Sequence, residues 1–364
     1  MKILSLFSGI GAFEKALTNI GIDHEVIGFS EIDKYAIKAY SAIHGIDEKL
    51  NLGDITKIYP DGLQKDIDII THGSPCQDFS LAGKQQSGDI GSGTRSSLMW
   101  HTVKIVEAVR PKYVIWENVK NVVSKRHKHN FEKYWESMNK LGYVNNYSLL
   151  NSKDYGVPQH RERIFVISIR SDLRNRYYFR FPKRIESDII LSDLLEKEVD
   201  QKYFLNDETL KKLLSYNFES NKRIIDTNGL CSTISTMQGG HIEPKIYVKN
   251  ATTKGYLEVN DGDSINLQYP NSKTRRGRVG KQVSQTLMAS DNMAVFQGRV
   301  RKLTPKECWR LMGFSDDDID KCITLGISNT QLYKLAGNSI VVNVLEEILK
   351  MLFDDDEVLQ MCER

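Results

Sequence analysis

The first half of the chain alternates short apolar runs with helix-length amphipathic segments, and few folds accommodate that order. It is the pattern of a parallel sheet with helices on its faces. Ile3 to Phe7 predicts the first strand, Phe13 to Ile20 a helix ended by Gly21, Glu25 to Phe29 the second strand, and Lys34 to His44 the next helix. Further strands are expected at Ile67 to Thr71, Tyr113 to Trp116, Tyr143 to Leu150 and Ile164 to Arg170. A helix from Leu98 to Val109 should stop ahead of Pro111, because the residue before proline disfavours the helical region. The turn-rich Asp154-Tyr155-Gly156-Val157-Pro158 joins the last two strands closely enough to predict antiparallel pairing.

From about Phe181 the alternation fails. Residues to about Gln297 carry more Asn, Ser, Thr, Gly and Lys with short β-like runs, the mark of a second, irregular domain. Order returns at Lys302 to Glu307, where Thr304 can cap a helix, Pro305 suits its first position and Glu307 completes a capping box, with Gly313 as the stop. A last helix is predicted from Ser339 to Phe353.

Size and composition narrow the function classes. A chain of 364 residues with 40% hydrophobic content builds an ordinary packed core, and its apolar runs are far short of a membrane span. Met1-Lys2 leads directly into the first strand without a signal-peptide pattern, so a cytoplasmic protein is expected. The five cysteines are odd in number, scattered and without C-x-x-C spacing, which argues against a disulfide framework and a zinc site. Net charge of +3 is too mild to identify a polyanion partner, but Lys273, Arg275, Arg276, Arg278 and Lys281 crowd one stretch that holds no acid.

In an open parallel sheet ligands bind at the carboxyl ends of the strands, and the residues predicted there are chemically specific. Phe7-Ser8-Gly9-Ile10-Gly11-Ala12-Phe13-Glu14 joins the first strand to the first helix, where Gly9 and Gly11 let the backbone turn tightly against a ligand. Glu31 falls at the end of the second strand, about twenty residues on, where a carboxylate can bind both hydroxyls of a ribose. Asp54 in Gly53-Asp54-Ile55, expected after the third strand, could accept from an adenine amino group. A dinucleotide would need a further glycine and a helix end for pyrophosphate, and Ala12, Phe13 and Glu14 stand there instead. A positively charged, phosphate-free cofactor such as S-adenosylmethionine fits better.

Two other strand ends offer a thiol and an acid. Cys76 lies in Gly73-Ser74-Pro75-Cys76-Gln77, and Glu117 in Glu117-Asn118-Val119. No Ser-His or Cys-His arrangement surrounds Cys76, so the pair suits attack on an electron-poor ring better than hydrolysis. Carbon 5 of cytosine takes a methyl group only after a thiolate adds at carbon 6 and an acid supports nitrogen 3. The thiol must be helped to ionise, and Arg161 and Arg163 in Gln159-His160-Arg161-Glu162-Arg163 are candidates for that positive field.

With these residues together the chain resembles the DNA (cytosine-5) methyltransferase family along nearly its whole length. The turn from Phe7 to Phe13, Glu31-Ile32-Asp33, Gly53-Asp54-Ile55, Gly73 to Ser80, Glu117-Asn118-Val119, Gln159 to Arg163, Arg301 to Phe314 and Gly337-Asn338-Ser339 look like the family's blocks, in its order. The resemblance implies a Rossmann-like α/β sheet of S-adenosylmethionine-dependent methyltransferases with a smaller, irregular target-recognition domain. It divides the chain into a catalytic and cofactor-binding domain (1–184), a recognition domain (185–300), and a hinge with a C-terminal helix returning to the first domain (301–364). Cys76 would be the nucleophile, Glu117 the group at cytosine nitrogen 3, and Arg161 and Arg163 supports of the base and the active-site loop. Phe7, Gly9, Gly11, Glu31, Ile32, Asp54, Ile55, Pro75 and Asn338 would line the cofactor pocket, while Gln77, Ser80, Arg275, Arg276, Arg278 and Thr286 would contact DNA. The resemblance also implies base flipping, since carbon 6 is inaccessible inside a duplex. Ser80 to Ser97 would then close over the DNA. A monomer acting on double-stranded DNA, with a cognate restriction endonuclease encoded alongside, is the expected setting. Transfer to a tRNA cytosine, or a non-catalytic nucleic-acid-binding module, are the rivals. The chain departs from the family's pattern at Ala12, where many members have glycine, and at Ser74, where many have a residue of other size.

Overall fold

The computed structural model describes residues 1–75, 94–176, 179–204, 246–253, 255–269, 272, 274–289, 293–297 and 299–353. The alternation produces β1 (Lys2–Leu6), α1 (Ala12–Asn19), β2 (Glu25–Ser30), α2 (Lys34–His44), β3 (Ile69–His72), α3 (Met99–Val109), β4 (Tyr113–Val119), α4 (Lys128–Lys140), β5 (Tyr143–Asn151), β6 (Gln159–His160) and β7 (Glu162–Arg170). Six of these strands form one sheet in the order β2-β1-β3-β4-β7-β5. β1 pairs parallel with β2 and β3, and β3 parallel with β4. β7 runs antiparallel between β4 and β5, as the short connection predicted for the β5 pair. Alternate side chains feed two cores, because successive residues of a strand point to opposite faces. Ile3, Ile69, Ile115 and Ile167 pack with Ala16, Leu17 and Ala39 from α1 and α2, while Leu4, Ile70, Val114 and Val166 pack with Ile105, Val106, Tyr134 and Met138 from α3 and α4.

Local chemistry sets the ends of these elements. Asp33 caps α2 by accepting from the amides of Tyr35 and Ala36, and Gly45 ends it in the left-handed region. α3 stops at Arg110, φ 58°, one residue before the proline. β4 outruns its expected end at Trp116 by three residues, two of them polar, since β7 continues to pair with Glu117, Asn118 and Val119 after β3 has stopped opposite Trp116. Asp54 precedes β3 rather than following it. The chain makes only a single bridge, Asn51 to Phe29, beside β2 before turning back, so the expected third-strand end is an edge contact.

The second part holds β8 (Ile246–Lys249), β9 (Tyr256–Val259), β10 (Ser264–Asn266), β11 (Val279–Gly280), β12 (Ser284–Gln285), β13 (Met293–Gln297) and β14 (Arg299–Lys302). Four of them make an antiparallel sheet, β11-β10-β13-β14, a regularity that the polar composition had hidden. α5 (Pro305–Arg310) begins with the predicted capping box between Thr304 and Glu307, and Gly313 turns the chain at φ 81°. α6 (Asp316–Thr324) starts at a second box, Ser315 with Asp318. The last predicted helix starts three residues later than expected and is preceded by one that was not predicted. α7 (Asn329–Asn338) ends where the long helix was expected to begin, Ser339 is extended, and α8 (Val342–Phe353) follows. Leu345, Ile348, Leu349 and Leu352 carry α8 into the same core as α1 and β1.

Candidate active site

Register brings four strand ends to one level. Leu6 pairs with Ser30 on one side and His72 on the other, and His72 pairs with Trp116. The next residues, Glu31, Phe7, Gly73 and Glu117, therefore form a row across the carboxyl ends of β2, β1, β3 and β4. Three inter-strand spacings of about 4.8 Å separate its two carboxylates, room for a nucleoside-sized ligand and its reacting group. The chain leaves β1 toward β2 and later returns to its other side with β3, so this edge is also the topological switch point where α/β sheets bind ligands.

The β1 turn is strained and braced. Phe7 is left-handed at φ 54°, a conformation costing a side chain about 1–2 kcal/mol. Gly11, at φ 79°, admits no side chain, since a Cβ there would lie 2.2 Å from His44 Nε2 and 2.9 Å from the Tyr40 ring. His44 Nε2 donates to the Ile10 carbonyl at 3.0 Å, and the Tyr40 hydroxyl donates to the buried Glu14 carboxylate at 2.9 Å, so α2 supports the turn from behind. Glu31 accepts from Gly9 N at 3.0 Å, Ile32 N at 2.7 Å and Asp33 N at 2.9 Å. Those amides use three of the roughly four acceptor positions of a carboxylate, leaving capacity for a ligand hydroxyl. Asn51, which motif reading missed, fixes this residue by donating to Glu31 O and accepting from Glu31 N and Gly53 N. Its only sequence signal was a polar residue two positions before Gly53.

Ile32 beside Glu31 is 75% exposed, an apolar surface a planar base could cover. Asp54 caps a short 3-10 turn by accepting from Thr56 N and Oγ1, which holds its carboxyl below the usual range. Ile55 turns its side chain into the α3 core, and Asn338 is exposed at the end of α7.

At the other end of the row, Cys76, Gln77 and Ser80 lie outside the described residues, while Pro75 lies within them. Glu117 is buried, and Arg163 Nε sits 3.1 Å from its Oε1. Burial pushes the Glu117 carboxyl up, with Arg163 and Arg161 pulling the other way. Burial favours the protonated form of such a carboxyl, the form that can donate to a ring nitrogen. Arg161 does something different from Arg163. Its guanidinium is buried and donates to Leu287 O at 3.0 Å, Gly337 O at 3.1 Å and Ser339 O at 2.7 Å, which ties three separate segments together.

The basic stretch divides in the structure. Arg278 is a correction: its side chain is fully buried and donates to Tyr269 O and Ser272 O, so its charge holds the loop and is withdrawn from a phosphate. Arg276 is exposed, with Nε on Ala251 O, and Arg275 lies over the Tyr269 ring at 5.9 Å. Thr286 donates to His160 O at 2.9 Å, beside the parallel ladder in which β12 pairs with β6.

The sheet order, the glycine turn at the switch point and the row of carboxylates define a Rossmann-like α/β methyltransferase fold with an appended β-rich part. The chain belongs to the C-5 cytosine-specific DNA methylase family, whose pattern matches residues 1–354, and is accordingly an enzyme. It is 36% identical to the orphan methyltransferase M.SPBetaI of Bacillus phage SPbeta over 437 aligned positions, covering 97% of each chain. It is 33% identical to the type II methyltransferase M.HhaI of Haemophilus parahaemolyticus over 366 positions, 96% of this chain and 93% of that one. The Entamoeba histolytica methyltransferase EhMeth superposes with a TM-score of 0.64 over 98% of both chains at 19% identity. The S. pombe Dnmt2 methyltransferase gives 0.61 over 97% of this chain and 98% of that one, at 17% identity. Among the described residues no helix is long and apolar enough to cross a membrane.

Proposed function

We propose that this enzyme transfers a methyl group from S-adenosylmethionine to carbon 5 of a flipped-out cytosine in a short duplex DNA sequence, through a covalent bond between Cys76 Sγ and carbon 6. The observation that carries the reading is the row of Glu31, Phe7, Gly73 and Glu117, with Glu117 buried against Arg163 at 3.1 Å one strand from the segment that leads into Cys76. When bound, S-adenosylmethionine supplies an electrophilic methyl group. Glu31 would accept from one ribose hydroxyl, Ile32 would cover its base, and Asp54, Ile55, Pro75 and Asn338 would complete the pocket. The donor set fits this group, because Gly9 N and Gly11 N are turned to Glu31 and Ser8 O, and no basic side chain is set among these residues for a phosphate.

The chain's own steps follow from the geometry. Glu117 donates to nitrogen 3 and draws electrons from carbon 6, while Arg163 fixes the carboxyl's orientation. The Cys76 thiolate adds to carbon 6, and carbon 5 becomes nucleophilic enough to take the methyl group. Loss of the carbon 5 proton to solvent then expels the thiolate, nitrogen 3 returns its proton to Glu117, and the ring is restored. Gln77, Ser80, Arg275, Arg276 and Thr286 are the proposed DNA contacts, with residues 185–300 reading the target. Relatives are named both as orphan and as type II methyltransferases, so protection of DNA from a cognate endonuclease is a role to be tested by cleavage assays.

Labelled methyl transfer to unmethylated duplex DNA, followed by bisulfite sequencing, tests the proposal with Cys76→Ala alongside. Methylated cytosines in one short sequence, absent in the variant, are expected. Transfer to tRNA in place of duplex DNA would overturn the substrate, and transfer by Cys76→Ala would overturn the mechanism.

A further inference from the structure

We infer that Trp116 and Ser74 form a positioning clamp for the proposed catalytic cysteine, and that it acts on the rate of adduct formation rather than on ligand binding. The inference rests on the proposed role of Cys76.

Ser74 stands two residues before Cys76. Its hydroxyl accepts from the Trp116 indole Nε1 at 3.0 Å and from Asn118 Nδ2 at 3.3 Å, and the same Asn118 nitrogen reaches Ser74 O at 3.1 Å. All three side chains are buried, so these bonds are sheltered from competing water. Both donors come from β4, the strand that carries Glu117 between them. The proposed acid and the backbone entering the proposed nucleophile are thus tied to one another by the residues on either side of the acid. Pro75 O is held as well, by Ser96 Oγ at 3.1 Å.

The indole cannot easily turn away from Ser74. The His72 ring stacks near it at 5.8 Å with 3° between planes, Tyr134 lies 4.4 Å from it on α4, and Phe131 is stacked at 6.1 Å. His72 Nε2 and the Tyr134 hydroxyl are 3.1 Å apart, closing the ring of contacts, and burial pushes His72 down to about 3, so it stays uncharged at neutral pH. The Ser74 hydroxyl is what the indole needs. An apolar residue would leave the indole N–H buried without an acceptor.

The test compares wild type, Ser74→Ala, Trp116→Phe, the double variant and Cys76→Ala in single-turnover methyl transfer. Capture on duplex DNA containing 5-fluorocytosine is measured in parallel, at saturating DNA and S-adenosylmethionine. Displacements of the order of 1 Å at a reacting group can cost up to about 100-fold, so each single variant is expected to slow both steps about tenfold, with S-adenosylmethionine affinity within about twofold of wild type. The double variant should be about as slow as the slower single one. It should nevertheless melt above Ser74→Ala, because removing both partners leaves no unpaired indole N–H. Rates within twofold of wild type, losses that multiply in the double variant, or a rate that recovers together with the melting temperature would each overturn the clamp. Should Trp116→Phe fail to fold, Ser74→Ala decides by the same comparison of rate with cofactor affinity. Failure of the underlying reading looks different: wild type forms no adduct, or Cys76→Ala still transfers methyl.

Discussion

At the scale of one residue, Glu117 is where burial and charge oppose each other most directly. Burial raises its pKa, while Arg163 at 3.1 Å limits the rise. A carboxyl with a raised pKa stays protonated to higher pH and loses its proton as pH climbs through that value. The thiolate required of Cys76 has the opposite dependence, so kcat should rise and then fall with pH. Glu117→Gln keeps an N–H donor that cannot ionise. It should lower kcat by about 10–100-fold and abolish the alkaline fall, whereas Glu117→Ala, with no donor, should lose about 10²–10⁴-fold. A pH–rate profile from pH 5.5 to 9.5 checks both, and an alkaline limb persisting in Glu117→Gln would remove Glu117 from the proton-donating role. This residue was legible from its place after an apolar run. The direction of Arg278 was not, because a basic run specifies charge but not which side chains fold inward onto carbonyls such as Tyr269 O and Ser272 O.

At the scale of the element, strands of the central sheet were read to within two or three residues, since alternating burial on two faces leaves a direct imprint on sequence. What escaped depended on pairing across the fold. β4 extends to Val119 only because β7 lies beside it, and Asn51 matters only because it reaches Glu31 across the sheet edge. α7 also escaped, and the last helix was begun at Ser339, three residues before its first turn at Val342. β3 offers a prediction of its own. His72 ends it fully buried, its pKa pushed down from 6.5 to about 3 by desolvation. Its stabilising effect is complete above pH 6.5. It is lost as pH falls toward 3, because the unfolded chain binds a proton that the folded chain refuses. At about 1.36 kcal/mol per pH unit, about 2 kcal/mol is forfeited by pH 5. His72→Phe should therefore lose about 2 kcal/mol less stability than wild type between pH 7.5 and pH 5, measured by denaturant unfolding. Equal losses in the two proteins would show that His72 does not hold its neutral form against solvent.

At the scale of the molecule, the proposed catalytic residues and the β-rich part are joined at a knot of backbone. β12 pairs with β6, Gln159 Nε2 donates to Leu311 O at 2.8 Å, and Arg161 spreads over the carbonyls of Leu287, Gly337 and Ser339. Gly337 is required there, since a Cβ would fall 2.0 Å from Met288 O. Two residues beyond Arg161, Arg163 holds Glu117, so the β-rich part is connected to the acid through a single short strand and its continuation. A planar guanidinium can serve three carbonyls from two segments; an ammonium on a flexible stem cannot hold that fork. Arg161→Lys should leave at least one buried carbonyl unpaired, at about 1–3 kcal/mol each, and lower the melting temperature. Its functional signature should be a raised KM for DNA with reduced kcat, because the DNA-facing part and Glu117 lose their common reference. S-adenosylmethionine affinity should fall less than DNA affinity, since Glu31 and Phe7 follow β2 and β1, across β3 and β4 from β7, and only Asn338 of the proposed pocket lies at this junction. Gly337→Ala, which forces the same junction apart from the opposite side, should reproduce that pattern. If instead both variants lose cofactor binding in proportion to DNA binding, the knot serves general stability and does not align recognition with chemistry.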